Sequence, residues 1–162
     1  MRIPAFDDTR AIVRRLGNDG LSTEQRIDLT LERIGRLNPR INALQEVLAQ
    51  RARREARRID RLIQAGRNPG PLAGVPIAVK EIIDTTPAVC SAGLEFLSEY
   101  RPDFDAPVVR RLRGAGAVII GMATSDPGAF GVRTIATRHP QAPVQTVGGS
   151  SGGSGAALAA DF

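Results

Sequence analysis

Two short stretches carry side chains whose types and spacing could do chemistry. The first is Gly148-Gly149-Ser150-Ser151-Gly152-Gly153-Ser154-Gly155, followed by an Ala-rich run from Ala156 to Ala160. Glycine permits positive φ and close approach to the backbone, and the Ala-rich run reads as the first turns of a helix. A glycine-rich turn feeding a helix N-terminus gathers free N–H groups around the serine hydroxyls. Such a place can hold an anion or position a hydroxyl for proton transfer. The second stretch is Gly74-Val75-Pro76-Ile77-Ala78-Val79-Lys80-Glu81-Ile82-Ile83-Asp84, in which Lys80 is the only lysine among 22 basic residues. Arginine keeps its proton inside a protein, whereas a lysine can surrender it. A chain that uses arginine almost everywhere, and lysine in an apolar run, points to a lysine kept for proton transfer. The plainer alternative is a strand-end lysine paired with Glu81 or Asp84.

Rival readings of the Gly/Ser block differ in what they require nearby. A flexible linker would not run straight into an Ala/Leu helix. A phosphate loop needs a lysine after its last glycine, and none is present. Ser150 and Ser151 both fit G-x-S-x-G, but a nucleophile elbow needs an acid and then a histidine downstream. Only Asp161 follows, and the sole histidine, His139, lies upstream. His139 stands in an irregular stretch without an acid motif and reads as incidental rather than as a base. One histidine and one cysteine leave no metal-ligand spacing, and no cofactor is expected.

Composition narrows the classes further. The chain is 42% hydrophobic but only 4% aromatic, with no tryptophan, so the core should be aliphatic and rich in Ala and Gly. A net charge of +5 and a pI near 10.8 admit nucleic acid as a partner. Yet the basic residues gather in one segment among acids, without aromatic stacking platforms, so nucleic acid is not the expected partner. The single cysteine, Cys90, excludes an internal disulfide and fits a reducing compartment. No signal-peptide core and no apolar run of spanning length are visible, so a cytoplasmic chain without a membrane partner is expected.

The elements that must position Lys80 and the Gly/Ser block can be read in order. A short helix is expected over residues 8–17. Ser22 to Gln25 forms a capping box, after which Ile27, Leu31, Ile34 and Leu37 recur at helical spacing until Asn38-Pro39 stops the helix. Residues 41–47 are ambiguous by local pattern. A helix over 49–65 has Ala52, Ala56, Ile59 and Ile63 as its apolar stripe and ends at Gly66. Its Arg51, Arg54, Arg58 and Arg61 read as a solvated face, with an RNA- or partner-contacting face as the alternative. A buried strand is expected from Pro76 to Ile83, with Lys80 inside it. Cys90-Ser91-Ala92-Gly93 reads as a close-packed turn without chemistry. Asp105 should cap a helix running from Pro107 to Arg113 and ended by Gly114-Ala115-Gly116. Val118 to Gly121 is the next buried strand, and strand, helix, strand at this spacing predicts a parallel βαβ unit. Ser125 to Gly128 opens a short helical turn, and 132–147 is a long irregular stretch.

Together, GPLAGVPIAVKEIID and GGSSGGSGAALAA, with FDAPVVRRLRGAGAVIIGMATSD between them, resemble the amidase signature family of serine hydrolases over about Leu21 to Ala160. The resemblance implies an α/β fold: the N-terminal part of the amidase signature fold, with helices on a mixed, largely parallel sheet left incomplete. Residues 1–70 would be mainly helical and 71–162 would begin the α/β core. It implies hydrolysis of amide C–N bonds by a Ser–cis-Ser–Lys triad. Lys80 would be the base and Ser150, on a cis peptide bond, the bridging serine. Ser151 and Ser154, with Gly148, Gly149, Gly152 and Gly153, would support them. The role requires a neutral amine, which burial in an apolar strand favours.

In that family the nucleophile and the oxyanion donors belong to a second motif, T-D-x-G-G-S, about two dozen residues beyond the bridging serine. These 162 residues hold no such motif and hence no nucleophile. The expectation is an N-terminal fragment or a truncated product, inactive alone. Its partners would be a small-molecule amide in the complete protein, a C-terminal complement, or a second copy joined through a strand edge left open near Val118–Gly121. Two other classes stay open: a non-catalytic chain or amidotransferase-type subunit that binds a partner, and an unrelated nucleotide-binding domain.

Overall fold

The computed structural model describes residues 20–162; the helix expected over 8–17 lies outside them. The first described helix, α1 (Thr23–Ile41), starts on the expected capping box. Gln25 N–H donates to Ser22 Oγ at 3.1 Å, and Ser22 N–H donates to Gln25 Oε1 at 2.8 Å. Ile27, Leu31, Ile34 and Ile41 are buried on its inner face. Asn38-Pro39 does not stop it. A proline this near the end removes one helical bond only, and Asn38 is held from outside the helix. Its Nδ2 donates to Leu44 O at 2.7 Å and its Oδ1 accepts from Leu44 N–H at 2.9 Å. The helix ends instead at Asn42, which is left-handed (φ 52) and donates its N–H to Asn38 O.

Strand β1 (Leu44–Val47) follows directly, and then α2 (Ala49–Gln64), which buries Ala52, Ala56 and Ile59. Ile63, the fourth residue of the expected stripe, is 38% exposed, so the buried face is one turn shorter. Gly66 ends α2 as expected. At φ 66 its N–H reaches Ile63 O and Arg67 N–H reaches Leu62 O, both at 2.9 Å, a Schellman motif. Helices α1 and α2 are joined by Arg53–Asp28 and Arg57–Glu24 ion pairs. Asp60 also accepts from the first N–H groups of α1, those of Thr23 and Glu24.

Strands β2 (Pro76–Lys80) and β3 (Val118–Ala123) are parallel, and β1 pairs antiparallel on the other side of β3, giving the order β1-β3-β2. The sheet is therefore mixed, and the described residues pack four helices around it. Every residue of β3 is buried. This corrects the expected open edge at Val118–Gly121: that strand is central, and the outer strands are β1 and β2. It also shortens the second strand. After Lys80 the chain turns, with Ile83 N–H donating to Lys80 O, so Lys80 ends the strand rather than lying inside it.

Helix α3 (Pro107–Gly114) connects the two parallel strands. Its N-cap is Ala106, not Asp105. Asp105 turns away to accept from Thr86 N–H at 2.7 Å and from the Thr86 hydroxyl at 3.1 Å, and it pairs with Arg113. Arg113 also pairs with Glu55 of α2, so one half-buried cation ties two helices to the turn after β2. Gly116, at φ 90, repeats the Schellman ending of α2. Residues 132–147 are irregular, and α4 (Gly152–Ala159) closes the described fold against the sheet.

Candidate active site

The end of β2 and the start of α4 meet. Lys80, paired in register with Ala123, sends its Nζ to donate to Ser150 Oγ at 2.7 Å. Among the described residues this amine has no carboxylate within ion-pair distance. That removes the strand-end salt bridge to Glu81 or Asp84. Lys80 is half-buried. The peptide joining Gly149 to Ser150 is cis, and Gly148 before it is left-handed at φ 76.

The glycines around Ser150 are there because other backbone is close. A Cβ on Gly149 would lie 2.5 Å from Arg133 N, and one on Gly152 would lie 2.5 Å from the Thr134 side chain. One on Gly153 would fall inside contact distance of Thr124 N and O and 2.6 Å from Ala43 O. The block is thus clamped between the 132–147 stretch and the end of β3. Thr134 N–H donates to Gly148 O at 2.9 Å, and Asp126 N–H donates to Ser150 O at 3.2 Å.

The same clamp corrects the idea that free N–H groups surround the serines. The N–H of Gly152 donates to Thr134 Oγ1 at 2.9 Å and that of Gly153 to Thr124 O at 3.0 Å. Two of the four orphan donors of α4 are thereby consumed by the protein. Ser151 and Ser154, expected to support the relay through hydrogen bonds, are not brought into it. Ser151 is exposed at the N-cap and Ser154 is half-buried in the first turn, and neither hydroxyl is hydrogen-bonded among the described residues.

Several residues that hold the site carry little signal in the sequence. Thr134 and Thr124 are buried and anchor the Gly/Ser block. Glu81 is 2% exposed and accepts hydrogen bonds from the Ser91 hydroxyl and from Ser125 N–H, the latter at 2.6 Å. The Cys90–Gly93 turn therefore does more than pack, because Ser91 serves that carboxylate. A charged residue inside the apolar run Ile77–Ile83 was the available clue.

His139 is absorbed by its own loop, its Nδ1 accepting from Gln141 N–H at 3.2 Å and Ala142 N–H at 3.0 Å. Cys90 is buried, its thiol donating to Ile83 O at 3.5 Å, and burial pushes that thiol above its ordinary value. Among the described residues no group of three His, Cys, Asp or Glu is placed to hold a metal ion. No described helix is long and apolar enough to cross a membrane.

An amine and a serine hydroxyl are in contact, held by a glycine-rich turn at the C-terminal ends of β2 and β3. Comparison with known proteins gives the family. The Amidase family model matches residues 25–162, and the chain belongs to that family. It is 41% identical over 135 residues to a glutamyl-tRNA(Gln) amidotransferase subunit of Salinispora tropica, covering 80% of this chain and 28% of that protein. Among solved structures, the peptide amidase of Stenotrophomonas maltophilia superposes with a TM-score of 0.88 at 34% identity, over 96% of this chain and 34% of the other. A 6-aminohexanoate cyclic dimer hydrolase superposes with a TM-score of 0.85 at 32% identity, over 96% of this chain and 32% of the other. The chain spans about a third of the length of the relatives it matches.

Proposed function

We propose that this chain supplies the proton-relay half of an amidase that hydrolyses carbon–nitrogen bonds by a Ser–cis-Ser–Lys mechanism. The observation that carries the reading is the 2.7 Å contact between Ser150 Oγ and an amine that has no ion-pair partner among the described residues. A lysine committed to a carboxylate stays charged; one whose polar contact is a hydroxyl can exchange a proton with it. In the proposed reaction neutral Lys80 draws the proton of a nucleophilic serine through the Ser150 hydroxyl. It returns that proton by the same route to the leaving amine.

The nucleophile and the oxyanion donors are assigned to the T-D-x-G-G-S motif of the family, which is not among these 162 residues. On this reading the 162 residues alone are inert, and the substrate is a small amide bound by the complete site in the cytoplasm. A second reading is favoured by the curated relatives, which are named as amidotransferase subunits: the amidase acts as one component of an assembly. Activity toward simple amides by the uncomplexed protein would separate the first reading from the second. The test of the relay is Lys80→Arg in a form of the protein that carries the downstream motif. Loss of amide hydrolysis by about 100-fold or more is expected, the usual weight of a positioned acid–base group. Near-normal turnover would refute it, because arginine cannot serve as the base.

A further inference from the structure

Glu81 adjoins Lys80 in the chain yet takes no part in pairing with it. Its carboxylate is buried, and a buried carboxylate is tolerated only where hydrogen bonds replace its water. Here one oxygen accepts from Ser125 N–H at 2.6 Å and the other from the Ser91 hydroxyl. The backbone adds two bonds: Glu81 N–H donates to Ala123 O at 3.0 Å, and Ala92 N–H donates to Glu81 O at 3.3 Å. Glu81 thus grips the end of β3 on both sides of Thr124.

The next residue after Ser125 is Asp126, whose N–H holds the Ser150 carbonyl at 3.2 Å, while Ser150 Oγ accepts from Lys80. The contacts close a ring that runs Lys80, Glu81, Ser125, Asp126, Ser150 and back to Lys80. Three of its links are hydrogen bonds and two are covalent. An apolar side chain at 81 could fill the space but would leave Ser125 N–H buried without an acceptor.

We propose that Glu81 is a positioning residue, whose carboxylate sets the separation of the Lys80 amine and the Ser150 hydroxyl by tying the end of β2 to the backbone that holds Ser150. The proposal rests on the relay reading of that pair. It makes Glu81 part of the geometry of proton transfer without contact with substrate or with the reacting atoms.

Because Lys80 is the only lysine, lysine labelled with carbon-13 gives a single set of side-chain signals in the 162-residue chain. In the unsubstituted chain a held amine should give two resolved ε-methylene proton shifts and a high order parameter at Cε. Glu81→Ala should merge the two shifts and lower the order parameter at least twofold, while the amide spectrum stays dispersed. Glu81→Gln should keep both features, because its carbonyl oxygen still accepts from Ser125 N–H. Where Glu81→Ala fails to fold, Glu81→Asp takes its place; it keeps the charge, shortens the reach, and should lose the order that Glu81→Gln keeps. The proposal is overturned by a mobile Lys80 in the unsubstituted chain or by a folded Glu81→Ala chain with unchanged Lys80 signals. It is equally overturned by a Glu81→Gln chain as disordered at Lys80 as the shorter variants. The readout is the order of an amine and not turnover, so loss of this proposal and loss of the amidase reading are separate results.

Discussion

Gly153 and Gly155 lie two residues apart in α4, and the structure assigns them opposite responses to alanine. A methyl on Gly155 meets nothing within 4 Å, and its φ is not positive. Gly155→Ala should therefore stabilise the chain by up to about 1 kcal/mol, the difference in helix propensity. A methyl on Gly153 meets the backbone of Thr124, just after β3, and the Ala43 carbonyl, just before β1, main-chain atoms that cannot rotate away. Relief requires α4 to back off, which costs about 1–3 kcal/mol of overpacking. It also strains the Gly152–Thr134 and Gly153–Thr124 hydrogen bonds, each worth about 1 kcal/mol. Against the same propensity gain, the net loss for Gly153→Ala is about 2–4 kcal/mol. Urea titration reads both values from the shift in midpoint at unchanged slope. In a heat scan the loss corresponds to a drop of roughly 5–15 °C for a chain of this size. A Gly153→Ala chain within about 0.5 kcal/mol of the parent, the usual spread of an inconsequential surface change, would refute the reasoning. So would two variants that move in the same direction, since propensity and not close approach would then govern the block.

The 162-residue chain should not be labelled by a serine-directed fluorophosphonate, because in the proposed mechanism Ser150 is the bridge and the oxyanion donors belong to the downstream motif; lacking such donors costs roughly 3 kcal/mol in the transition state. Stoichiometric labelling at Ser150, read by intact mass, would overturn its bridging role. Cys90 should react with a disulfide reagent far more slowly in the native chain than in urea, since it is buried. Its raised thiol value has a definite sign. The folded state disfavours the thiolate, so this contribution to stability is whole below pH 9.0, the ordinary thiol value, and declines above it as the unfolded thiol ionises. Native and denatured rates that coincide would remove both statements.

Local rules read correctly where the local chemistry had no competitor. Ser22 and Gln25 had each other to bond, and Gly66 and Gly116 offered the left-handed residues that a Schellman ending needs. The rules failed where a distant group claimed the same atoms. Asn38 stayed helical before a proline because Leu44 engages both ends of its amide. Asp105 left the helix it should cap because Thr86 and Arg113 hold its carboxylate. Strand order was hidden for a related reason. Val118–Ala123 and Pro76–Lys80 are both short apolar runs, and periodicity does not say which of two buried strands a third will join.

The candidate site shows the same division. Lys80 and Ser150 were legible, one as the only lysine and the other within the Gly/Ser block, but they are 70 residues apart and nothing in their spacing says what brings them together. The structure's answer is the C-terminal end of β3. Lys80 reaches the sheet there, opposite Ala123. Thr124 accepts from the first turn of α4, Ser125 donates to Glu81, and Asp126 donates to Ser150. Each of these contacts uses a main-chain group of residues 124–126, so side-chain identity at those positions carries almost no trace of the task. Placing β3 in the middle of the sheet is what makes this end available to both partners. The strand before it delivers the amine, and the chain after it returns to deliver the hydroxyl. A substitution among residues 124–126 should therefore matter through the backbone it imposes. Replacing the donor N–H of Ser125 or Asp126 would disturb the Lys80–Ser150 contact more than removing either side chain.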